Sequence, residues 1–514
     1  MRRRAAAACL VWLALAAVAE LHAQSPSPGP WVPIGSRLDR LTLWVIADGG
    51  LSTVDALTRP FRLAALRNAA QKQDTTVLAA AGRQAFRWLM AELEGVADST
   101  AIVAEFGGEA WRNGRRDSFR GGGSAGSGPE GGIWLGLTRG PFVGVFNPAF
   151  DNRLKDDPEF TGKKDRAIAG RLQSGYVALT GERGDLIFGR MSHAWGPDLF
   201  DGLQVSPSAY ASDMLEGTLR EGRFALTTMA QRLDDDDTTL SVPVNRYFFA
   251  HRLSVRLASR TWLAVTETGI YGGPGRGFEP AFLSPVNPAV LSEFNEGKSV
   301  DVLWGAAMHA PLGRRISFDG ELMVDDIQIE RDTLTGHTRP WSGGYTAVLR
   351  GSLPGLPIHA AAGYTMVRSL TYRNSFDPGD TYDLIGVGLA RNFSDYDQAL
   401  VRLEMWASPR ILVGMDVSYL RQGSGDFRNP FPADSVLALP GQGFLVAPVQ
   451  HSAAVRATMT LEPRNGVAMT GELGARQRPG GTSAIAGIQI TLRFDALHHH
   501  WGAAFPAVEG TAVR

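Results

Sequence analysis

The stretch RISFDGELMVD, residues 315–325, decides the fold. Apolar and polar side chains alternate along it with a period of two, the pattern of a β-strand with one apolar and one polar face. The apolar set is Ile316, Phe318, Leu322 and Val324, and the polar set is Ser317, Asp319, Glu321 and Asp325. We therefore expect a strand that separates an apolar environment from a wet one.

The same period extends over the chain from about residue 99 onward. It recurs in residues 102–107, 223–231, 401–405, 411–418 and 455–459. Roughly 16 to 20 such segments follow one another, separated by clusters of Gly, Pro, Asn or Asp. The pattern predicts an all-β protein with many short antiparallel strands.

A soluble sandwich or propeller and a membrane barrel share this pattern. The polar faces carry Arg, Glu and Asp repeatedly within single strands, which suits the wet interior of a barrel. No run of roughly 18 apolar residues follows residue 23, so membrane-spanning helices are not expected. Aromatic residues gather near the segment ends, as interfacial girdles require; they are Trp111, Trp134, Tyr247, Phe248, Tyr271, Trp341, Tyr372, Tyr382, Trp406 and Tyr419. These features favour a transmembrane outer-membrane β-barrel.

Residues 1–23 have the features of a removable signal peptide. Arg2 to Arg4 are basic, residues 5–18 are apolar, and residues 21–23 offer a small-residue cleavage site. Cys9, the single cysteine, would leave with this segment, which excludes disulfides, thiolate metal sites and cysteine nucleophiles. Loss of three arginines and Glu20 changes 51 basic and 52 acidic residues to 48 and 51, a net charge of −3. So balanced a chain indicates no nucleic-acid partner.

Residues 24–98 are expected to form a linker and a small helical bundle on the periplasmic side. Apolar residues recur at three- to four-residue spacing in residues 78–93, and residues 39–46 end at a plausible cap, Asp48-Gly49-Gly50. Thr58 is expected to cap a further helix. The barrel is then expected over residues 99–495, with its last strand at residues 485–494. Residues 496–514 are expected to be a tail that carries His498, His499 and His500.

The loop lengths predict an orientation, because long loops of such barrels face outward and short turns face the periplasm. Hairpins counted back from Phe494 place residues 421–450 outside, as expected for a long loop. The same count also places the tight turn Pro311-Leu312-Gly313 outside, which is unexpected for so short a turn.

Several short motifs follow one another along the chain. They are Leu38 to Leu41 with Asp48-Gly49-Gly50 and Thr58 to Phe61; Gly189-Arg190 with Trp195-Gly196-Pro197 and Gly202 to Ser206; Tyr271 to Gly273 with Leu283 to Pro288; and Gly320-Glu321-Leu322 with Asp325-Asp326. Their order resembles that of the capsule assembly Wzi family of outer-membrane proteins. The resemblance spans about residue 38 to about residue 400.

This resemblance implies a barrel of about 18 strands with a periplasmic helical bundle. It also implies a lectin-like protein, without enzymatic activity or cofactor, that attaches or organises capsular or exopolysaccharide at the cell surface. The implied partners are that polysaccharide and outer-membrane lipid. Two other functions remain open: an open porin or solute channel, and an outer-membrane hydrolase using His193. No nucleophile elbow supports the hydrolase.

Arg190, Trp195 and Asp198 are the candidate polysaccharide contacts. A tryptophan in a loop can stack on the apolar face of a sugar, and an arginine can hold a carboxylated or phosphorylated one. Alternatively, Trp195-Gly196-Pro197 is an interfacial anchor followed by a turn.

Glu321, Asp325 and Asp326 are candidates for an acidic patch that binds sugar hydroxyls or calcium. The favoured alternative is a charge network inside the lumen, in which these acids pair with basic strands. Its expected members are Arg252, Arg256, Asp319, Glu321 and Asp325. No metal site is expected.

Overall fold

The computed structural model describes residues 30–95, 100–160, 162–166, 169–235, 244–258, 260–289, 291, 300–313, 315–326, 340–373, 381–462 and 467–499. The expected signal peptide lies outside these ranges. Within them, eighteen strands form one closed barrel. The predicted barrel of about 18 strands is confirmed.

The barrel strands, numbered here in chain order, are β1 (Thr100–Trp111), β2 (Gly126–Arg139), β3 (Phe142–Asp151), β4 (Gly170–Thr180), β5 (Gly184–Arg190), β6 (Met214–Glu221), β7 (Phe224–Arg232), β8 (Val244–Arg256), β9 (Trp262–Pro274), β10 (Asp301–Pro311), β11 (Ile316–Val324), β12 (Gly343–Ser352), β13 (Ile358–Val367), β14 (Tyr396–Ser408), β15 (Ile411–Gln422), β16 (Gln450–Leu461), β17 (Val467–Arg478) and β18 (Gly481–His499). Each pairs antiparallel with the next, and β1 pairs with β18, placing Phe106 opposite Leu492. Closure leaves no unpaired sheet edge.

The two faces of the wall follow the predicted alternation. On β11, Ile316 and Leu322 are exposed on the outer face, whereas Asp319 and Glu321 are buried on the inner face. On β15, Met415 and its outward neighbours alternate with buried positions in the same way. An apolar outer belt around a polar inner face is what a bilayer requires of a barrel.

Four helices lie in the described residues: α1 (Arg37–Ala47), α2 (Leu63–Gln71), α3 (Ala80–Gly95) and α4 (Asp434–Leu437). Ser36 caps α1 by accepting a hydrogen bond from the Asp39 amide at 3.3 Å. The bundle of α1–α3 lies at the end of the barrel where the turns are short, since Trp44 stacks on His359 at the start of β13, with 4.8 Å between ring centroids. None of the described helices has the length and apolarity needed to cross a membrane.

Three local predictions were wrong. Thr58 does not cap a helix; Thr58–Arg59 is a two-residue strand that pairs with Ala194–Trp195, so a tertiary contact overrides the local capping signal. The last strand continues past residue 495 to His499, because β1 supplies pairing partners as far as Thr100. The Pro311 turn lies at the short-turn end, because five strands, β11–β15, separate it from the long loop that follows Gln422.

The lumen is filled by protein. Residues 191–213, here called the plug loop, fold inward from the long-loop end and meet residues 381–395 there. The hydroxyl of Tyr372 donates to the Leu203 carbonyl at 2.7 Å, and that of Tyr382 donates to the Gln204 carbonyl at 2.8 Å. From the opposite end, the segment before α2 reaches the same loop, where the Gly196 amide donates to the Leu57 carbonyl at 2.9 Å.

Gly196 shows why the plug loop needs its glycine. Its φ of +118° is unfavourable for residues with a side chain, and an added Cβ would lie 2.6 Å from Oε2 of Glu321 on the wall. The same carboxylate accepts a hydrogen bond from the Leu203 amide at 3.0 Å. The loop backbone is therefore held directly against β11.

Candidate functional site

A cavity of about 560 Å³ opens inside the barrel at the long-loop end. We call it the arginine vestibule. Its walls come from residues 115–120, 157–159, 198–210 and 387–393 and from the inner faces of β4, β14 and β16. Seven arginines and five carboxylates line it: Arg115, Arg116, Arg120, Arg171, Arg391, Arg402 and Arg456, against Asp117, Asp157, Glu159, Asp198 and Asp201.

Most of these arginines are fixed by acidic partners. Arg115 donates hydrogen bonds to the Glu159 carboxylate, from Nε at 3.0 Å and from Nη2 at 2.7 Å. Arg120 pairs with Asp117 at 2.6 Å, and Arg402 pairs with Asp416 at 2.8 Å. Paired guanidinium groups are held in place and still have N–H groups free to donate to a ligand.

Arg391 differs from these. It donates to the Thr346 hydroxyl at 2.7 Å and to the Tyr396 hydroxyl at 3.3 Å. Among the described residues, no carboxylate lies within 4 Å of it, and its Nε is buried without a hydrogen-bond partner. A buried cation in this condition favours an anionic ligand, because an added negative charge would offset its lost solvation.

Aromatic rings lie between the arginines. Phe119, Phe200, Tyr210, Phe393 and Tyr396 also line the vestibule. The Arg120 guanidinium lies 4.1 Å from the centroid of Phe393 and 4.4 Å from that of Tyr396. Rings that can cover the apolar face of a sugar, next to arginines that can bind its acidic groups, make a site suited to acidic carbohydrate.

Asp157 and Glu159 give the vestibule a titratable pair on the loop between β3 and β4. Burial, together with the neighbouring Glu159, raises the pKa of Asp157 to about 6. Burial also acts to raise the pKa of Glu159, but hydrogen bonds from Arg115 outweigh it, and that pKa is lowered. Glu159 therefore keeps the negative charge, and Asp157 becomes neutral in mildly acidic solution.

No protein-family model and no curated protein matches the sequence. Solved structures do match. Wzi from Escherichia coli, described as an outer membrane protein involved in group 1 capsule assembly and as a carbohydrate-binding β-barrel, aligns with 91% of this chain and 99% of its own. The TM-score is 0.66 and the sequence identity 12%.

The chain has the Wzi fold. The resemblance predicted from the ordered motifs is thus confirmed, and at this identity it shows the fold alone. Pseudomonas aeruginosa OccK3 (OpdO) also matches, over 79% of this chain and 98% of its own, with 9% identity and a TM-score of 0.43.

The three expected polysaccharide contacts do not come together in this Wzi fold. Arg190 pairs with Asp213 at 2.6 Å and does not line the vestibule. Trp195 is only 1% exposed, with its ring 5.4 Å from the Arg252 guanidinium, and it lines a smaller cavity of about 180 Å³ instead of the vestibule. Asp198 alone lines the vestibule, where Arg350 holds it.

The expected lumen charges all lie on or next to the inner wall, but not in the expected pairs. Arg252 donates to the Thr58 and Thr266 hydroxyls, at 3.0 Å each. Glu321 and Asp325 accept from the amides of Leu203 and Tyr372. In the described part of the chain, no ion pair within 4 Å joins Glu321 or Asp325 to Arg252 or Arg256. The guanidinium of Arg256 instead lies 6.0 Å from the centroid of the Trp262 ring. Glu321 therefore holds the backbone of the plug loop, and Asp325 holds the backbone of the loop between β13 and β14 at Tyr372.

Asp319 belongs to a separate buried cluster. Its carboxylate contacts His309 at 2.5 Å and Arg350 at 2.6 Å, and Arg350 also binds Asp198 on the plug loop. The described residues contain no group of three or more His, Cys, Asp and Glu side chains arranged to hold a metal ion.

Proposed function

We propose that this protein is an outer-membrane receptor that holds an acidic capsular or exopolysaccharide at the cell surface through the arginine vestibule. The observation that carries this proposal is the collection of seven arginines and five aromatic rings in one cavity at the long-loop end. In the proposed orientation that end faces the medium, and α1–α3 face the periplasm. The mode of action is retention without catalysis.

The strength of such retention would come from repetition. One bidentate arginine–carboxylate contact is stronger than a neutral hydrogen bond and is geometrically selective. A polymer presents the same acidic sugar many times, so after one unit leaves, the next is already at high local concentration. Modest affinity for a single unit is therefore enough to hold a long chain.

The filled lumen argues against an open porin as the alternative. Trp195 and Leu203 belong to a continuous buried cluster that reaches wall residues such as Phe248 and Met323. A protein-filled interior leaves no wide aqueous path of the kind found in general porins.

A direct test uses the organism's own polysaccharide. Cells that lack the protein should release surface polysaccharide into the medium, and purified protein in detergent should bind that material in calorimetry. If the mutant cells retain their polysaccharide and the purified protein binds none of it, the proposal is wrong.

Replacing Arg391 with glutamine should weaken polysaccharide binding about ten- to a hundredfold, the range expected for losing a charge-assisted hydrogen bond. The cause is loss of a vestibule cation that, like Arg171, has no carboxylate within 4 Å among the described residues. Arg391→Lys should recover part of the affinity, because lysine restores the positive charge but lacks the planar guanidinium that can make two parallel hydrogen bonds. The control is Arg183→Gln, since that side chain is 87% exposed at a short turn. Equal affinities for Arg391→Gln and the control would refute this role.

Binding should also depend on pH. As the pH is raised through about 6, Asp157 ionises and the vestibule gains one negative charge, so affinity for an acidic polysaccharide should fall about three- to tenfold. Glu159, whose pKa is lowered by hydrogen bonds from Arg115, stays ionised through this range. Asp157→Asn should bind tightly at both ends of the range. An affinity that rises with pH in the unmodified protein would contradict the assignment.

A further inference from the structure

A second cavity, of about 440 Å³, lies beside the vestibule. It is lined by β2–β4, by residues 31–34 near the start of the described chain, and by the plug loop. We call it the side pocket. Nothing in the retention mechanism above uses it.

The lining of the side pocket suits a sugar. Trp31, Trp134 and Tyr176 supply aromatic surface, and Asn147, Gln173 and Ser174 supply amides and a hydroxyl. Trp31 and Tyr176 meet edge to face, with 5.7 Å between ring centroids, so both rings are fixed in orientation. Small-ligand sites combine apolar walls with a few convergent polar groups in this way.

The polar groups are only weakly engaged with each other. The amide of Asn147 donates to the Gln173 side-chain oxygen at 3.4 Å, a long hydrogen bond that a ligand hydroxyl can replace at small cost. The pocket thus offers donors and acceptors beside its rings.

Arg171 connects the two cavities. Together with Pro207 it lines both the vestibule and the side pocket. Its guanidinium lies 5.2 Å from the centroid of Tyr210, and its Nε is buried without a hydrogen-bond partner. Among the described residues no carboxylate lies within 4 Å of it. A long side chain without an acidic partner can turn toward a ligand that enters from either cavity.

The floor of the side pocket is rigid. Trp31, Pro60 and Met191 lie between it and a smaller cavity of about 180 Å³ near the short-turn end. Trp31 is 6% exposed and packs against Tyr176 and the plug. A chain that enters from the vestibule therefore stops at this floor.

We propose that the side pocket binds the terminal sugars of an acidic polysaccharide, with Arg171 pairing with the carboxylate or phosphate of a unit at the pocket entrance. The proposal rests on the proposed function, because the vestibule delivers the chain. A pocket that ends at the floor formed by Trp31, Pro60 and Met191 accepts the end of a chain more readily than a chain interior. The protein then anchors a polymer by its end, and the vestibule holds the units that follow.

The test compares fragments of one polysaccharide. The surface polysaccharide released by the organism is partially hydrolysed with acid, and short fragments and the intact polymer are titrated against purified protein, with concentrations counted as chains. End recognition predicts similar affinity per chain for every fragment long enough to fill both cavities, whereas binding of chain interiors alone predicts an affinity that keeps rising with length. Trp134→Ala should weaken binding of short fragments about tenfold, from lost ring stacking, and Trp134→Phe should restore most of it. Tyr419→Ala, on the outer face with 48% exposure, is the control for folding and detergent effects.

The outcomes separate the two proposals. If Trp134→Ala and Arg171→Gln both bind short fragments like the unmodified protein, while Arg391→Gln loses them, the side pocket is not a binding site and the vestibule role stands. If affinity per chain rises steadily with length and no side-pocket variant changes it, end recognition is overturned. If the unmodified protein binds neither fragments nor polymer, the proposed function itself fails.

Discussion

Replacing Arg350 with alanine is expected to destabilise the barrel by about 3 to 5 kcal/mol, the range for removing one partner of a buried ion cluster. Arg350 is 6% exposed and lies between Asp198 on the plug loop and Asp319 on β11, with its Nε 2.6 Å from the Asp319 carboxylate. Removing it takes away the ion-pair partner that the two carboxylates share. The plug loop loses an attachment at the same time.

The measurement is a urea titration of protein refolded into detergent or lipid, with the folded fraction read from the gel mobility of unheated samples. Arg183→Ala is the matched control. Its partner Glu221 is 4.0 Å away and 82% exposed, so that loss should cost about 1 kcal/mol or less. If Arg350→Ala lowers the free energy of unfolding no more than the control does, the cluster of Arg350, Asp198 and Asp319 contributes little to stability.

Deleting the inner part of the plug loop is expected to turn a nearly non-conducting barrel into a channel. The unmodified protein should show little conductance in planar bilayers, because the plug loop and residues 381–395 fill the lumen. Replacing residues 196–206 with a short Gly-Ser linker removes the contacts of Gly196, Leu203 and Gln204 with the wall and the N-terminal segment. Barrels of about 18 strands with open lumens hold aqueous channels, so conductance should rise about tenfold or more.

A deletion elsewhere controls for loop shortening. Residues 438–441 follow α4 in the loop between β15 and β16 and are mostly exposed, so their removal should leave conductance low. Each variant is first checked for a folded barrel by gel mobility. Porin-like conductance from the unmodified protein would mean that the plug does not seal the lumen.

The wall was predictable from sequence because each strand carries its own evidence. On β11, the polar residues Asp319 and Glu321 alternate with the apolar residues Phe318 and Leu322. Because the bilayer lies on one side of the wall and the barrel interior on the other, the apolar set faces the bilayer and the polar set faces the interior. A range of about 16 to 20 strands and the helical opening follow from the same local periodicities, and the resemblance to the Wzi family narrowed that range to about 18.

The interior was not predictable in this way. Trp195 has the sequence context of a surface loop, yet it pairs with Thr58 from a segment far away in the chain. Nothing in a two-residue period says which loop folds inward, because that depends on long-range packing. For the same reason Arg391 gave no sequence signal. Arg115, Arg116 and Arg120 form a dense group of arginines in a single loop, a signal that could have pointed to the vestibule.

The pairing of Thr58–Arg59 with Ala194–Trp195 restricts the order of assembly. Thr58 and Arg59 precede β1 in the chain, but they lie inside the closed barrel. The pairing between β1 and β18 joins the first and the last strand of the barrel, so it can form only after β18 has been synthesised. The Thr58–Arg59 segment therefore reaches its partner either while the wall forms around it or through the short-turn end of the closed barrel.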